Sequence, residues 1–225
     1  MKSQLTRELY SRTILMTRQR ISSIATKIFA GSFVLLLVGF IIPQQFKMPV
    51  KGATKKSYSQ NSFWAYPWGR SVTHKGVDIF AKKGTDVHPA TGGIVLYKGK
   101  TPRGGNVVFV LGPKWRIHYY AHLDEIKTNR FSIVSSKSVI GTVGNTGNAI
   151  GKPSHLHYTI KTIIPYPWRI DKSIQGKRKM FYLNPITYLN KTFSETISFI
   201  ETAAAATDRR HTNTNPCIGY LACWQ

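Results

Sequence analysis

Between Trp68 and Ile164 the chain is cut into short β-forming runs separated by glycine-bearing turns, and no amphipathic helical pattern interrupts them. The runs lie at 76–80, 93–97, 106–110, 116–122, 138–143 and 155–160. Turn residues punctuate them at Lys82–Thr85, Gly104–Gly105 and Gly144–Asn148. Strands at this spacing have no room for the helical crossovers that parallel pairing requires. The expected fold is all-β, an antiparallel sheet domain over residues 67–190. Phe181–Leu189 closes it with either a strand or a short helix. Residues 191–225 hold an alanine run and a Thr/Asn stretch and read as a mobile tail with no assigned function.

Ahead of this domain, 15 uncharged residues run from Ile28 to Ile42 and stop at Pro43. With Ile24–Thr26 added and Lys27 snorkelling to the interface, the stretch reaches the roughly 20 residues a membrane span needs. Pro43–Phe46 makes a poor cleavage site. The expectation is therefore a basic cytoplasmic segment at 1–23 and an uncleaved transmembrane signal anchor at 24–43, in preference to a cleaved signal. Residues 44–66 follow as a linker and lead-in segment. The domain then lies on the outer side of the cytoplasmic membrane.

The chain carries 32 Lys and Arg against 9 Asp and Glu, a formal charge of +23. Such an excess favours polyanionic partners: nucleic acid, anionic lipid or an acidic wall polymer. The basic residues are spread along the chain with no recognition helix or zinc-finger spacing, so no specific nucleic-acid partner is expected. Cys217 and Cys223 are the only cysteines. Two are too few for a disulfide framework, and their spacing is not that of a structural zinc site.

The chemistry concentrates in histidines. In Ser154-His155-Leu156-His157-Tyr158, strand alternation puts His155 and His157 on one face and Leu156 on the other. Two imidazoles on one rigid face suit either metal binding or proton transfer. In Thr73-His74-Lys75-Gly76-Val77-Asp78, a bend at Gly76 lets His74 and Asp78 reach one point. Those two with one histidine of the His155/His157 pair form the three-ligand set of a catalytic zinc, which leaves a fourth position for water. His122 sits on an alternating segment and can join the same face. His118 shares its parity but reads as structural, and His88 reads as a loop or surface residue. Asp124, Glu125 and Asp171 read as solvated, and Gly144 and Gly147 as turn formers. Pro165–Trp168 either lines a groove or packs as a simple loop.

Taken together, HKGVDI, YAHL and GNTGN followed by SHLHY resemble the lysostaphin-type (LytM-domain) zinc metallopeptidases that cut peptidoglycan cross-links. The resemblance covers roughly residues 67–163. It implies a small antiparallel β-sheet domain with a loop-walled groove. It also implies one Zn2+ held by His74, Asp78 and His157, with His122 and His155 as catalytic residues off the metal. Zinc lowers the pKa of a bound water to about 7, and two unligated histidines can serve as base and oxyanion donor. Their division of labour stays open. The implied partners are peptidoglycan stem peptides and cross-links, together with the membrane through the anchor.

Two features depart from the family pattern. The Gly69-to-His74 segment is short, which lowers one groove wall, and no separate wall-binding module is evident. The YPW loop and NPITYL closure resemble proteobacterial relatives, which points to a periplasmic enzyme at the inner membrane acting on D-Ala–diaminopimelate cross-links. Two rivals are a metal-free scaffold of the same fold that activates another wall hydrolase, and a basic membrane-tethered polymer binder. A scaffold normally lacks a ligand, whereas all five residues are present here.

Overall fold

The computed structural model describes residues 2–194 together with 198, 201 and 202, with side chains from Leu15 onward. Most of the predicted tail, including His211, Cys217 and Cys223, lies outside the described residues. The chain divides into two units: residues 1–44 with 113–115, and residues 45–112 with 116–225.

The first unit is the helix α1, Lys2–Ile41, which runs without a break through the basic segment. Its apolar part, Leu15–Ile41, is 27 residues long. At 1.5 Å per residue that is roughly 40 Å, enough to cross a hydrocarbon core of about 30 Å. Large apolar side chains such as Phe29, Phe33 and Ile41 are exposed along it. This is a helix long and apolar enough to cross a membrane, and a signal sequence has the same character.

The second unit is built on antiparallel strands: β1 (Val77–Phe80), β2 (Asp86–Val87), β3 (Gly93–Thr101), β4 (Gly105–Gly112), β5 (Arg116–Ile126), β6 (Ile133–Val134), β7 (Gly141–Val143), β8 (His155–Thr162) and β9 (Tyr182–Leu183). The sheet order is β1-β8-β5-β4-β3-β6; β2 pairs with β7, β7 with β5, and β9 with β8. The six predicted runs all appear, although 138–143 forms a strand only over its last three residues. The added strands β2, β6 and β9 have two residues each, too short to show a period in sequence. After β9, residues 185–194 are helical, so Phe181–Leu189 contains both a strand and a helix start.

Alternation sorts the long strands into two faces. Leu156, Tyr158 and Ile160 of β8 point into the core, where they meet Tyr120 of β5, Val108 and Val110 of β4, and Val77 and Ile79 of β1. The other face of β8 carries His157, Thr159 and Lys161 into a groove. In the core His118 is buried between Thr91 Oγ1 (3.2 Å from Nε2) and the Tyr158 hydroxyl (2.7 Å from Nδ1). It is a core histidine, away from the groove.

Residues 45–66, read from sequence as linker and lead-in, lie against this unit. Val50 is buried and bridges to Val87, while Phe46 and Met48 pack on the core. The Lys47 N–H donates to the Ala90 carbonyl and the Lys51 N–H to that of Asp86. The segment lacks period because it meets β2 and the residues after it through one isolated bridge and scattered backbone bonds, not a continuous ladder.

Gly76 explains how β1 comes so close to β8. A Cβ there would stand 2.5 Å from the Tyr158 carbonyl oxygen and 2.6 Å from Thr159 Oγ1. The first is backbone and cannot swing away. Gly76→Ala is expected to destabilise the unit by about 1–3 kcal/mol, read as a lower urea midpoint at unchanged slope. A second expectation concerns pH. Burial, and then the Arg116 guanidinium, pull the His118 pKa down to about 3 from an ordinary 6.5. Above 6.5 folded and unfolded chains are both neutral there; below it the unfolded chain gains a proton that the folded one refuses. Stability should fall as pH drops from 6.5 towards 3, by on the order of 4 kcal/mol from this group. Urea denaturation across that range should show a shallower slope for His118→Gln.

Candidate metal centre

The groove, about 860 Å³, lies over the face shared by β1, β8 and β5. Antiparallel register sets its floor: Asp78 pairs with His157 on one side of β8, and Ala121 pairs with His157 on the other. Directly opposed side chains on one face stand within contact distance. The carboxylate is therefore delivered beside the imidazole, and the small Ala121 side chain leaves the space above it open. His74 arrives from the segment before β1, fastened by two backbone bonds. The Trp64 N–H donates to the His74 carbonyl (2.6 Å), and the His74 N–H donates to Ala65 (3.0 Å).

Three donor atoms converge. His74 Nε2 is 3.1 Å from Asp78 Oδ1 and 3.1 Å from His157 Nδ1, and His157 Nδ1 is 2.7 Å from the same carboxylate oxygen. Three ligands at tetrahedral angles around a zinc ion stand about 3.3 Å apart, so the triangle has the right scale. Its chemistry fits as well. His74 Nδ1 is 2.9 Å from the Ser62 carbonyl, which only accepts, so Nδ1 carries the proton and Nε2 is a bare lone pair. Thr159 Oγ1, 3.0 Å from His157 Nε2, can accept that nitrogen's proton, which leaves Nδ1 bare too. Two lone pairs and a carboxylate aimed at one point are a cation's donor set. Burial alone would raise the Asp78 pKa, but hydrogen bonds to His157 and His74 override it and hold the carboxyl well below its ordinary range. Burial pulls His157 down, against the opposing pull of Asp78, which keeps its nitrogen available.

His122 and His155 face the same groove. Their rings are 5.0 Å apart, and the His122 ring is 5.9 Å from that of His157. His155 Nε2 lies 3.9 Å from Asp78 Oδ2. Each ring is fixed by a backbone carbonyl: His122 Nδ1–H donates to Thr146 (2.8 Å) and His155 Nδ1–H to Pro153 (2.7 Å). Both therefore present Nε2 as the free basic nitrogen. Burial, then the His157 charge, lower the His122 pKa to about 4, so it is neutral at neutral pH.

His122 does not reach the groove by alternation, as the sequence suggested. On β5, Tyr119 and Ala121 face the groove while His118 and Tyr120 face the core; continued alternation would send His122 into the core. The pairing of β5 with β4 passes from Tyr120↔Val108 to Leu123↔Asn106, so Ala121 and His122 together oppose Val107. His122 adopts a left-handed backbone, φ 62°, within this bulge. Bulges re-aim a side chain in this way. The GNTGN turn supports the arrangement. A Cβ on Gly147, itself at φ +68°, would stand 2.2 Å from the Gly105 nitrogen, and this close approach brings the Thr146 carbonyl to His122.

The groove walls were less legible. Trp68 stacks on His74 with ring centroids 4.1 Å apart, and no sequence motif marked it. Cations line the groove: Arg70, Lys75, Arg103, Lys152, Lys161 and Arg178. Pro165–Trp168 is absent from the lining; Tyr166 and Trp168 stack on each other at 5.1 Å, and Trp168 is exposed. His88 Nδ1–H donates to the Ser138 carbonyl (2.9 Å), outside the groove. Asp124, Glu125 and Asp171 pair with Lys83, Lys127 and Lys179.

Similarity to known proteins bears on the fold that carries this site. Residues 72–170 match peptidase family M23. The DD-carboxypeptidase/endopeptidase Mpg of Neisseria meningitidis serogroup B is 34% identical over 85 residues, 38% of this chain and 19% of that protein. The uncharacterized lipoprotein YgeR of Escherichia coli is 35% identical over 89 residues, 39% of this chain and 34% of that protein. The match thus spans about a fifth of the length of the Neisseria protein and a third of the other. A solved lytM structure from Ruminococcus gnavus, 22% identical, shares the fold at a TM-score of 0.51, over 69% of this chain and 64% of its own. Residues 72–170, which carry the His74–Asp78–His157 cluster on their groove face, thus match a peptidase family M23 domain and share the fold of a LytM-type structure.

Proposed function

We propose that the chain is a zinc-dependent endopeptidase that hydrolyses peptide cross-links of bacterial peptidoglycan. The observation that carries this reading is the convergence of two lone pairs and one carboxylate in an open groove, flanked by two further histidines with free Nε2 atoms. His74, Asp78 and His157 would hold the ion. When bound, zinc supplies Lewis acidity that polarises a carbonyl and makes a water nucleophilic near neutral pH. The remaining steps belong to the side chains. One of His122 and His155 takes the water's proton at Nε2. The other, once protonated, donates from Nε2 to the oxygen that gains charge, and a proton then passes to the leaving amine. The fixed Nδ1–H bonds hold both rings in the tautomer this exchange requires.

The α1 helix serves as a single-pass anchor in the inner membrane and keeps the domain on the outer, periplasmic side. The finer substrate reading is the D-Ala–diaminopimelate cross-link, supported by similarity to a protein named as a DD-carboxypeptidase/endopeptidase. A basic surface suits an anionic wall polymer.

Incubating the detergent-solubilised chain with isolated sacculi should convert cross-linked muropeptide dimers to monomers, each cut adding one water by mass, and a zinc chelator should stop it. No turnover by zinc-loaded protein would leave the scaffold reading in its place. His157→Ala should lose zinc. His122→Ala and His155→Ala should retain zinc while losing about 10²-fold or more in rate; zinc loss in either would overturn the division between ligands and catalytic residues.

A further inference from the structure

Lys161 lies on the groove face of β8, four residues beyond His157 and so about 13 Å along the strand. Its ammonium is held between two aromatic rings, 5.8 Å from the centroid of Tyr119 and 5.7 Å from that of Tyr182. Backbone pairing of Lys161 with Tyr182 places the second ring. Among the described residues no carboxylate or hydrogen-bond acceptor meets this ammonium. The described ion pairs of the other acids use Lys51, Lys83, Lys127 and Lys179 instead. Asp78, the one acid in the groove lining among the described residues, is taken up by His74 and His157.

More positive charge gathers around this point. Arg178, in the turn before β9, lines the same groove and acts electrostatically on Tyr182 and Lys75; the charges of Arg103 and Lys161 also reach Lys75. Like charges collected on a partly desolvated surface raise the free energy of the unliganded protein, and a bound anion relieves it. Lys161 is half-buried with its ammonium beside two rings, so less side-chain entropy is lost when an anion docks than for a fully exposed lysine. Aromatic rings on both sides exclude water and strengthen the contact.

We propose that Lys161, assisted by Arg178, forms a carboxylate-binding subsite that selects peptides bearing a free carboxylate a few residues from the bond held at His74, Asp78 and His157. The subsite rests on the endopeptidase reading for the identity of its ligand: an acidic stem peptide, with amidated peptides discriminated against. Lys161 is a specificity-determining residue in this assignment and touches no reacting atom.

The test uses the full chain and calorimetric titration at about 0.15 M salt, where exposed charges are largely screened. The probes are a synthetic acidic stem tetrapeptide with its carboxylates free and the same peptide with each carboxylate amidated. The acid form should bind about tenfold more tightly, as a charge-assisted hydrogen bond permits. Lys161→Gln should abolish that preference, Lys161→Arg should retain it, and Arg178→Gln should reduce it, all with unchanged thermal midpoints. Lys100→Gln, an exposed position outside the groove, should leave it intact. Equal affinity for the two peptides, no binding of either, or a preference untouched by Lys161→Gln would overturn the subsite. So would an equal loss in Lys100→Gln, which would assign the effect to overall basicity. Sacculus digestion by the same preparation separates the two readings. Binding preference without turnover removes the enzyme assignment alone, and turnover without preference removes the subsite alone.

Discussion

The groove depends on the register of β1, β8 and β5. Asp78 opposite His157, with Ala121 on the far side, exists only in one alignment of three antiparallel strands. A slip of one residue would turn every side chain of the moved strand to the opposite face. Leu156, Tyr158 and Ile160 would enter the groove, and His155, His157 and Thr159 would enter the core. The apolar side of β8 therefore locks the polar side. Burial of those side chains, with Tyr120 and Ile79 against them, stabilises the fold and aligns the donor atoms in one stroke.

Backbone carbonyls are the second constraint. Ser62, Thr146 and Pro153 each accept the Nδ1–H of a groove histidine and leave its Nε2 free. Tautomer choice is thus made by loop conformation and not by neighbouring acidic side chains. This assigns a role to residues 45–66: packing of Val50 and the Trp64–His74 backbone bond hold the segment that carries the Ser62 carbonyl. A carbonyl has no signature in sequence, because any residue can supply one. None of these three partners was legible beforehand for that reason.

The charge of the chain also takes on a location. A net +23 spread over the sequence suggests only a general attraction to polyanions. The fold gathers Arg70 and Lys75 from the segment before β1, Arg103 from the β3–β4 turn, and Lys161 and Arg178 from the C-terminal part around one groove. These residues are far apart in sequence, so their concentration is a property of topology. Ion pairs on the outside, such as Lys83 with Asp124, take up several of the few acids and leave the groove positive.

By itself the sequence determined the strand texture, the apolar helix, the shared face of His155 and His157, and the approach of His74 and Asp78 allowed by Gly76. All of these follow from local rules: a two-residue strand period, the length of an apolar run, a glycine that lets the chain bend between a histidine and an aspartate. Tertiary structure decided what local rules cannot reach. Simple alternation would have buried His122; a bulge opposite Val107 and a left-handed backbone turn it into the groove. Tyr119 and Tyr182 flank Lys161 through pairings between distant segments, and Trp68 reaches His74 through a turn in which the Trp68 N–H donates to the Val72 carbonyl. Period-2 patterning records which face a residue takes within one strand; bulges, loop carbonyls and cross-strand neighbours are set by how separate strands meet.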